Sequence, residues 1–255
     1  MFVRLLLLGM GIFLTFDVWA EDIKLDAEQR VEYHQKEQKL VAIGNAVATK
    51  GKMSIKANEL VGYYAANNKN KISRVEAHGN VVMKSDQTEA FGNDMVYDVK
   101  DDMAKFSGRP ARIKTADADI SSQGPIIFWP EKQEAVAEEE VVAIDKQGNK
   151  VRSDKMHAYF VKGADGKLVL DKIDIDGDVK INAKEAEISS RSGVYYANDN
   201  KVELFDDVVI TQNGNVLHGD KAESNFNSGI SKILSGNKGR VSGVFKENKK
   251  KKESK

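Results

Sequence analysis

Residues 44–47 read Gly44-Asn45-Ala46-Val47, and residues 79–82 read Gly79-Asn80-Val81-Val82, 35 positions further on (44 to 79). Related stretches follow. They are Gly108-Arg109-Pro110-Ala111-Arg112-Ile113, Gly177-Asp178-Val179-Lys180-Ile181, Asp206-Asp207-Val208-Val209-Ile210 and Gly239-Arg240-Val241, with Glu139-Glu140-Val141-Val142 as a degenerate member. The recurrence is roughly every 30–35 residues, the range of stacked repeat architectures. A second marker interleaves with the first. It reads Ile55-Lys56-Ala57-Asn58-Glu59, Ala90-Phe91-Gly92-Asn93-Asp94, Arg152-Ser153-Asp154-Lys155-Met156, Asn182-Ala183-Lys184-Glu185-Ala186 and His218-Gly219-Asp220-Lys221-Ala222. Aromatic or apolar residues follow each copy: Tyr63-Tyr64, Val96-Tyr97, Tyr159-Phe160, Val194-Tyr195-Tyr196 and Phe226.

Between markers, apolar residues alternate at period two. Met53, Ile55 and Ala57 share a face, as do Met95, Tyr97 and Val99, then Met156, Ala158 and Phe160, then Val179, Ile181 and Ala183. Such alternation marks half-buried strands. The Gly-Asn and Asp-Gly pairs, with Asn198-Asp199-Asn200 and Asn213-Gly214-Asn215, supply the positive φ angles of tight turns. The nearest helical candidate, Leu25 to Lys39, has a thin apolar face. These signals predict an all-β chain of stacked antiparallel hairpins in one continuous domain, with a parallel β-helix as the rival. A propeller would need about 40–45 residues per blade. The prolines Pro110, Pro125 and Pro130 mark the one place where the domain could divide.

Composition narrows function. The 255 residues hold 39 Lys+Arg and 39 Asp+Glu, so the net charge of zero lacks the basic excess of a dedicated nucleic-acid binder. With 41% hydrophobic residues a core can form. The absence of Cys excludes disulfides, thiolate zinc sites and thiol catalysis. At the start, Arg4 precedes the apolar run Leu5 to Phe16, and Val18-Trp19-Ala20 places small residues before a cleavage point at Glu21. Residues 1–20 therefore read as a cleaved secretory signal peptide, since a spanning helix needs about 20 apolar residues. Export without disulfides demands a well-filled core.

Catalytic patterns are lacking. His34, His78, His157 and His218 are scattered, and no His-Glu-x-x-His or Gly-x-Ser-x-Gly stretch occurs. Asp174-Ile175-Asp176-Gly177 hints at a calcium loop, but Lys172 and Ala183 would occupy its first and last ligand positions. No cofactor is expected, and no enzyme. The stretch Lys246 to Lys255 carries six Lys and two Glu. It reads either as a solubilising tail, 246–255, or as a contact for the phosphates of an anionic lipid.

The chain resembles the OstA-like family. The resemblance rests on Ile23-Lys24-Leu25-Asp26-Ala27-Glu28, Ala42-Ile43-Gly44-Asn45-Ala46-Val47, Met53-Ser54-Ile55-Lys56-Ala57-Asn58-Glu59 and Val75-Glu76-Ala77-His78-Gly79-Asn80-Val81. It returns at Val216-Leu217-His218-Gly219-Asp220-Lys221-Ala222 and Asn237-Lys238-Gly239-Arg240-Val241. Residues 115–175 depart most and read as extra hairpins. Membership implies a twisted β-jellyroll over 21–245, two antiparallel sheets in a V with an apolar interior. It implies a periplasmic protein that binds lipopolysaccharide through its lipid A acyl chains and passes it from inner to outer membrane. The implied partners are LptC-like inner-membrane and LptD-like outer-membrane jellyroll domains, and further copies of the chain joined head to tail through Ile23–Ala27 and Val241–Phe245. An anchored LptC-like role and an exported β-solenoid scaffold without lipid are the alternatives. By period-two phase, the lipid-facing candidates are Val47, Met53, Ile55, Val81, Met83, Phe91, Met95, Tyr97, Ile113, Met156, Phe160, Val179 and Ile181.

Overall fold

The hairpin turns and the period-two runs together dictate a chain that folds back on itself repeatedly. A computed structural model describes residues 23–245, apart from 67, 86, 87, 165, 184, 185, 226, 229, 237 and 238. The signal segment 1–20 and the Lys-rich tail 246–255 lie outside the described residues, as do Lys184, Glu185, Phe226, Asn237 and Lys238 of the repeats. Every regular element among the described residues is a strand. The first six are β1 (Lys24–Asp26), β2 (Arg30–His34), β3 (Lys39–Lys50), β4 (Met53–Ala65), β5 (Asn68–Lys84) and β6 (Thr88–Asp98). The middle of the chain gives β7 (Met103–Ser107), β8 (Ala111–Thr115), β9 (Ala118–Ser122), β10 (Ile126–Trp129), β11 (Glu134–Asp145) and β12 (Lys150–Lys162). The last are β13 (Leu168–Ala183), β14 (Ala186–Tyr196), β15 (Lys201–Gln212), β16 (Asn215–Asn225), β17 (Ile230–Leu234) and β18 (Ser242–Val244). The segment Leu25 to Lys39 is thus strand and turn, and its thin apolar stripe belongs to period two.

All pairings are antiparallel, which overturns the parallel β-helix rival. The short strands act as split long ones. β1 and β2 both pair with β3, β7 and β8 with β6, β9 and β10 with β11, and β17 and β18 with β16. Every break falls at the same level of the sheet. The result is an all-β jellyroll whose strands each cross one common crease, so that one sheet makes two facing halves.

The first marker builds that crease and does not make the turns. Gly44 and Asn45 have φ of 92° and 43°, Gly79 and Asn80 74° and 52°, and Gly177 and Asp178 75° and 40°. Asp206-Asp207 and Glu139-Glu140 repeat the pair with φ of 60° and 52°, and 67° and 50°. The degenerate copy is therefore a full member. Ladder register slips at each pair, between Ile43 and Ala46, His78 and Val81, Glu138 and Val141, Asp176 and Val179, and Phe205 and Val208. Two successive left-handed residues redirect a strand, so Gly, Asn and Asp gather there. The hairpin turns lie elsewhere, as at 51–52, 146–149, 197–200 and 213–214.

The second marker supplies the other side of the crease. Opposite each positive-φ pair the partner strand skips a single residue: Asn58, Asn93, Asp154, Arg191 and Asp220. Ser190-Arg191-Ser192 is the fourth copy. Asn182–Ala186, assigned to that slot from sequence, lies instead where β13 gives way to β14. The two markers touch. A Cβ on Gly79 would meet the Asn58 side chain at 2.5 Å, and one on Gly177 would meet Asp154 at 2.2 Å. Glycine here answers both the backbone angle and the side chain lying across it. Residues 115–175 continue the same stack, with the crease at the break between β9 and β10, beside the break between β7 and β8 just before them.

Candidate functional site

Register places apolar residues in line across the whole sheet. In one half, Ala42 lies opposite Leu60, then Ala77, Met95, Phe106 and Ile126 follow strand by strand. The line goes on through Ala137, Met156, Ile175, Gly193, Leu204 and Ala222. In the other half, Ala48, Ile55, Met83, Ala90, Ile113 and Ile120 are in line. Ala143, Val151, Ile181, Ile188, Ile210 and Leu217 complete it. Buried members of both lines belong to one core. The two halves therefore share a single apolar interior that runs from β3 to β16.

Of the sequence candidates, Met53, Ile55, Val81, Met83, Met95, Tyr97, Ile113, Met156, Phe160, Val179 and Ile181 stand on this inner face. Val47 and Phe91 do not. Their neighbours Ala46, Ala48 and Ala90 point inward, so period two turns Val47 and Phe91 outward, in line with Lys56, Val82 and Arg112. The Arg112 guanidinium sits 5.9 Å from the Phe91 ring centre. The reason for Phe91 is the single skipped residue Asn93. It flips the phase along β6, so that Ala90 before it and Met95 after it share one face. For Val47 the period-two phase is one residue off, since the inner residues beside it are Ala46 and Ala48. The period-two reading also missed Phe106, Ile126, Phe128, Leu170, Ile175 and Leu204, all buried. Alternation at Ile126-Ile127-Phe128 could have found two of those positions, Ile126 and Phe128.

Polar groups inside are few and mostly satisfied. At equivalent crease positions, the Ser153 and Ser190 hydroxyls donate to the carbonyls of Lys155 and Ser192, at 3.1 and 3.0 Å. Asp145 accepts from the Asn149 amide side chain at 2.7 Å within a hairpin turn. Burial pushes the Tyr195 phenol up to about 12, and its hydroxyl donates to Asn200 at 3.3 Å. Burial, with Asp102, Glu131 and Asp98 near, pushes Tyr97 up to about 12 as well. Both phenols are neutral at ordinary pH, and the interior carries no charge from them.

Charge is placed outside, in pairs along and across strands. Arg74 bonds Glu76 at 2.7 Å, and His78 bonds Asp94 at 2.9 Å. The Asp94 and Glu76 carboxylates raise the His78 pKa above its ordinary value, and His78 lowers that of Asp94. Lys221 bridges Glu203 and Glu223 at 2.9 and 2.8 Å. His157 stacks on Tyr159 and meets Glu134 at 3.2 Å. His34, His78 and His157 are each engaged with a nearby carboxylate, and His218 is exposed. No grouping of metal-ligating side chains occurs among the described residues. Near the middle of the stack, an apolar cavity of about 60 Å³ lies between the half-sheets, lined in part by Thr88, Ile113, Ile120, Phe106, Phe128 and Met156.

A family of lipopolysaccharide transport proteins, described as LptA/(LptD N-terminal domain) LPS transport protein, matches residues 25–134 and 130–230. No curated protein matches the chain significantly. Among solved structures, a similar chain is LptH, "the LptA homologous periplasmic component of the conserved lipopolysaccharide transport device from Pseudomonas aeruginosa". It is 13% identical, with 89% of this chain and 96% of that one covered, at a TM-score of 0.22. The two family matches together span most of the described residues, and the chain belongs to the LptA/LptD N-terminal family of lipopolysaccharide transport proteins.

Proposed function

We propose that this chain is a periplasmic lipopolysaccharide-binding transport protein. It receives acyl chains on its inner face and passes them toward the outer membrane along a head-to-tail bridge. One observation carries the reading: the apolar interior is continuous over the full run of strands from β3 to β16. Each buried CH₂ is worth about 0.8 kcal/mol against water, so a long acyl chain does not leave such a surface for solvent at a useful rate. Transfer between two apolar surfaces is nearly balanced. A carrier of this kind needs a continuous lining and no catalytic group, and the chain acts as a carrier and not an enzyme.

The ends of the stack support the bridge. Among the described residues β1 and β2 pair on one side only, with β3, and β17 and β18 only with β16. Unpaired strand edges template further strands. Ile23, Val31 and Tyr33 at one end, and Ile230, Val244 and Phe245 at the other, are exposed apolar residues ready for such a joint. Their partners are further copies or the jellyroll domains of LptC-like and LptD-like proteins. The test is retention of lipopolysaccharide by the purified protein against its deacylated polysaccharide. Wild type and Phe91→Asp retain the acylated form, and a folded Ile55→Asp loses it. Equal retention of both forms, or of neither, would end the carrier reading.

A further inference from the structure

The cavity between the half-sheets holds one unresolved polar demand. Thr88 is 2% exposed and lines the cavity, and its hydroxyl is the buried side-chain polar atom among the described residues with no hydrogen-bond partner. The rest of the lining is hydrocarbon, from Ile113 and Ile120 of one half-sheet to Phe106, Phe128 and Met156 of the other. A lone buried donor is unusual, because native proteins pair nearly all of them. Water is a poor answer. The cavity of about 60 Å³ exceeds the roughly 10–15 Å³ that one water needs, but a held water needs 2–4 polar partners. Thr88 offers one. What fits a cavity of this make-up is an apolar body carrying a single hydrogen-bond acceptor.

We propose that Thr88 is the polar anchor of this cavity and donates its hydroxyl hydrogen to the carbonyl oxygen of an acyl ester seated there. This rests on the reading of the inner face as an acyl-chain surface and adds to it a fixed depth. An ester linkage, where the chain meets its headgroup, stops at Thr88 because its carbonyl is there paired and elsewhere along the lining unpaired. The position suits the role. Thr88 begins β6, next to the hairpin end of the sheet, and Ala90 follows it on the same face. The headgroup is thereby left toward the strand ends while the chain runs inward past Ala90 toward Met156 and Phe128.

The test compares two soluble lipids that differ only at the carbonyl, dihexanoylphosphocholine and its dihexyl ether analogue, titrated calorimetrically below their micelle concentrations into the full chain. Wild type should bind the ester about tenfold more tightly than the ether, the factor one net hydrogen bond supplies. Thr88→Val keeps the shape, removes the donor and should bind both lipids at the ether's affinity. Thr88→Ser keeps the hydroxyl and should restore the preference. Thr88→Val should also unfold no more easily than wild type, since it deletes an unpaired buried hydroxyl. Equal binding of ester and ether by wild type, or an ester preference that survives in Thr88→Val, overturns the anchor and leaves the acyl-chain surface standing. Failure of wild type to bind either lipid overturns the anchor together with the surface it rests on.

Discussion

Replacing Gly177 by alanine tests the crease more sharply than any core truncation. Gly177 sits at φ +75°, where a Cβ costs about 1–2 kcal/mol. The new Cβ would also stand 2.2 Å from Asp154 Oδ2 and 2.7 Å from Asp154 Cβ. Side-chain rotation relieves the first contact but not the second, because Cβ moves only with the backbone. Forced backbone shifts of this kind cost about 1–3 kcal/mol, and the lower entropy of the unfolded chain returns about 0.4–1 kcal/mol. The expected loss is therefore about 2–4 kcal/mol, read as a lower urea midpoint with Trp129 fluorescence. Asp154→Gly removes the obstructing Cβ. In the double variant the steric part vanishes, so the two substitutions should couple favourably by about 1–3 kcal/mol. A Gly177→Ala midpoint equal to wild type would refute the left-handed corner. A coupling near zero would refute the contact between the two markers.

Other outcomes follow from the same geometry. Met83→Ala should cost about 2–5 kcal/mol in urea unfolding, as a buried truncation does, while Phe91→Ala on the outer face should cost less than about 1 kcal/mol; equal losses would place Phe91 inside. The His78–Asp94 pair gives a pH window. The raised His78 pKa adds stability that is complete below about 6.5 and lost as pH rises through the folded value, and the lowered Asp94 pKa adds stability lost as pH falls through its own. NMR titration should put the His78 midpoint above 6.5 and return Asp94 toward its ordinary value in His78→Gln; an unshifted midpoint contradicts the pair. Spectrophotometric titration should find Tyr97 and Tyr195 still protonated at pH 11 while the fold holds, and early ionisation of both would show an interior open to water.

Much of this was legible in the sequence because it is local. Alternation at period two made Met53–Ile55, Met95–Tyr97 and Val179–Ile181 readable as inner-face pairs, since side chains on one strand must alternate whatever the partner does. The recurring Gly-Asn and Asp-Gly pairs were readable as positive-φ sites, since few residues accept that backbone. The family resemblance was carried by those same short stretches. What they build was not legible. A positive-φ pair serves equally in a turn or in mid-strand, and only the ladder between Ile43 and Ala46, or Asp176 and Val179, decides for mid-strand. The phase across Asn93 depends on β5 spending two residues where β6 spends one, which is a property of the pair of strands. Phe91 changed faces on that account. Likewise, the edges open for pairing at β1 and β18, and the unpaired Thr88 hydroxyl among hydrocarbon, arise from residues far apart in the chain. Sequence determined the strands, their corners and their apolar stripes, because these are set by each residue and its near neighbours. The tertiary structure alone decided which stripe faces inward past each corner, because a bulge takes its meaning from the strand beside it.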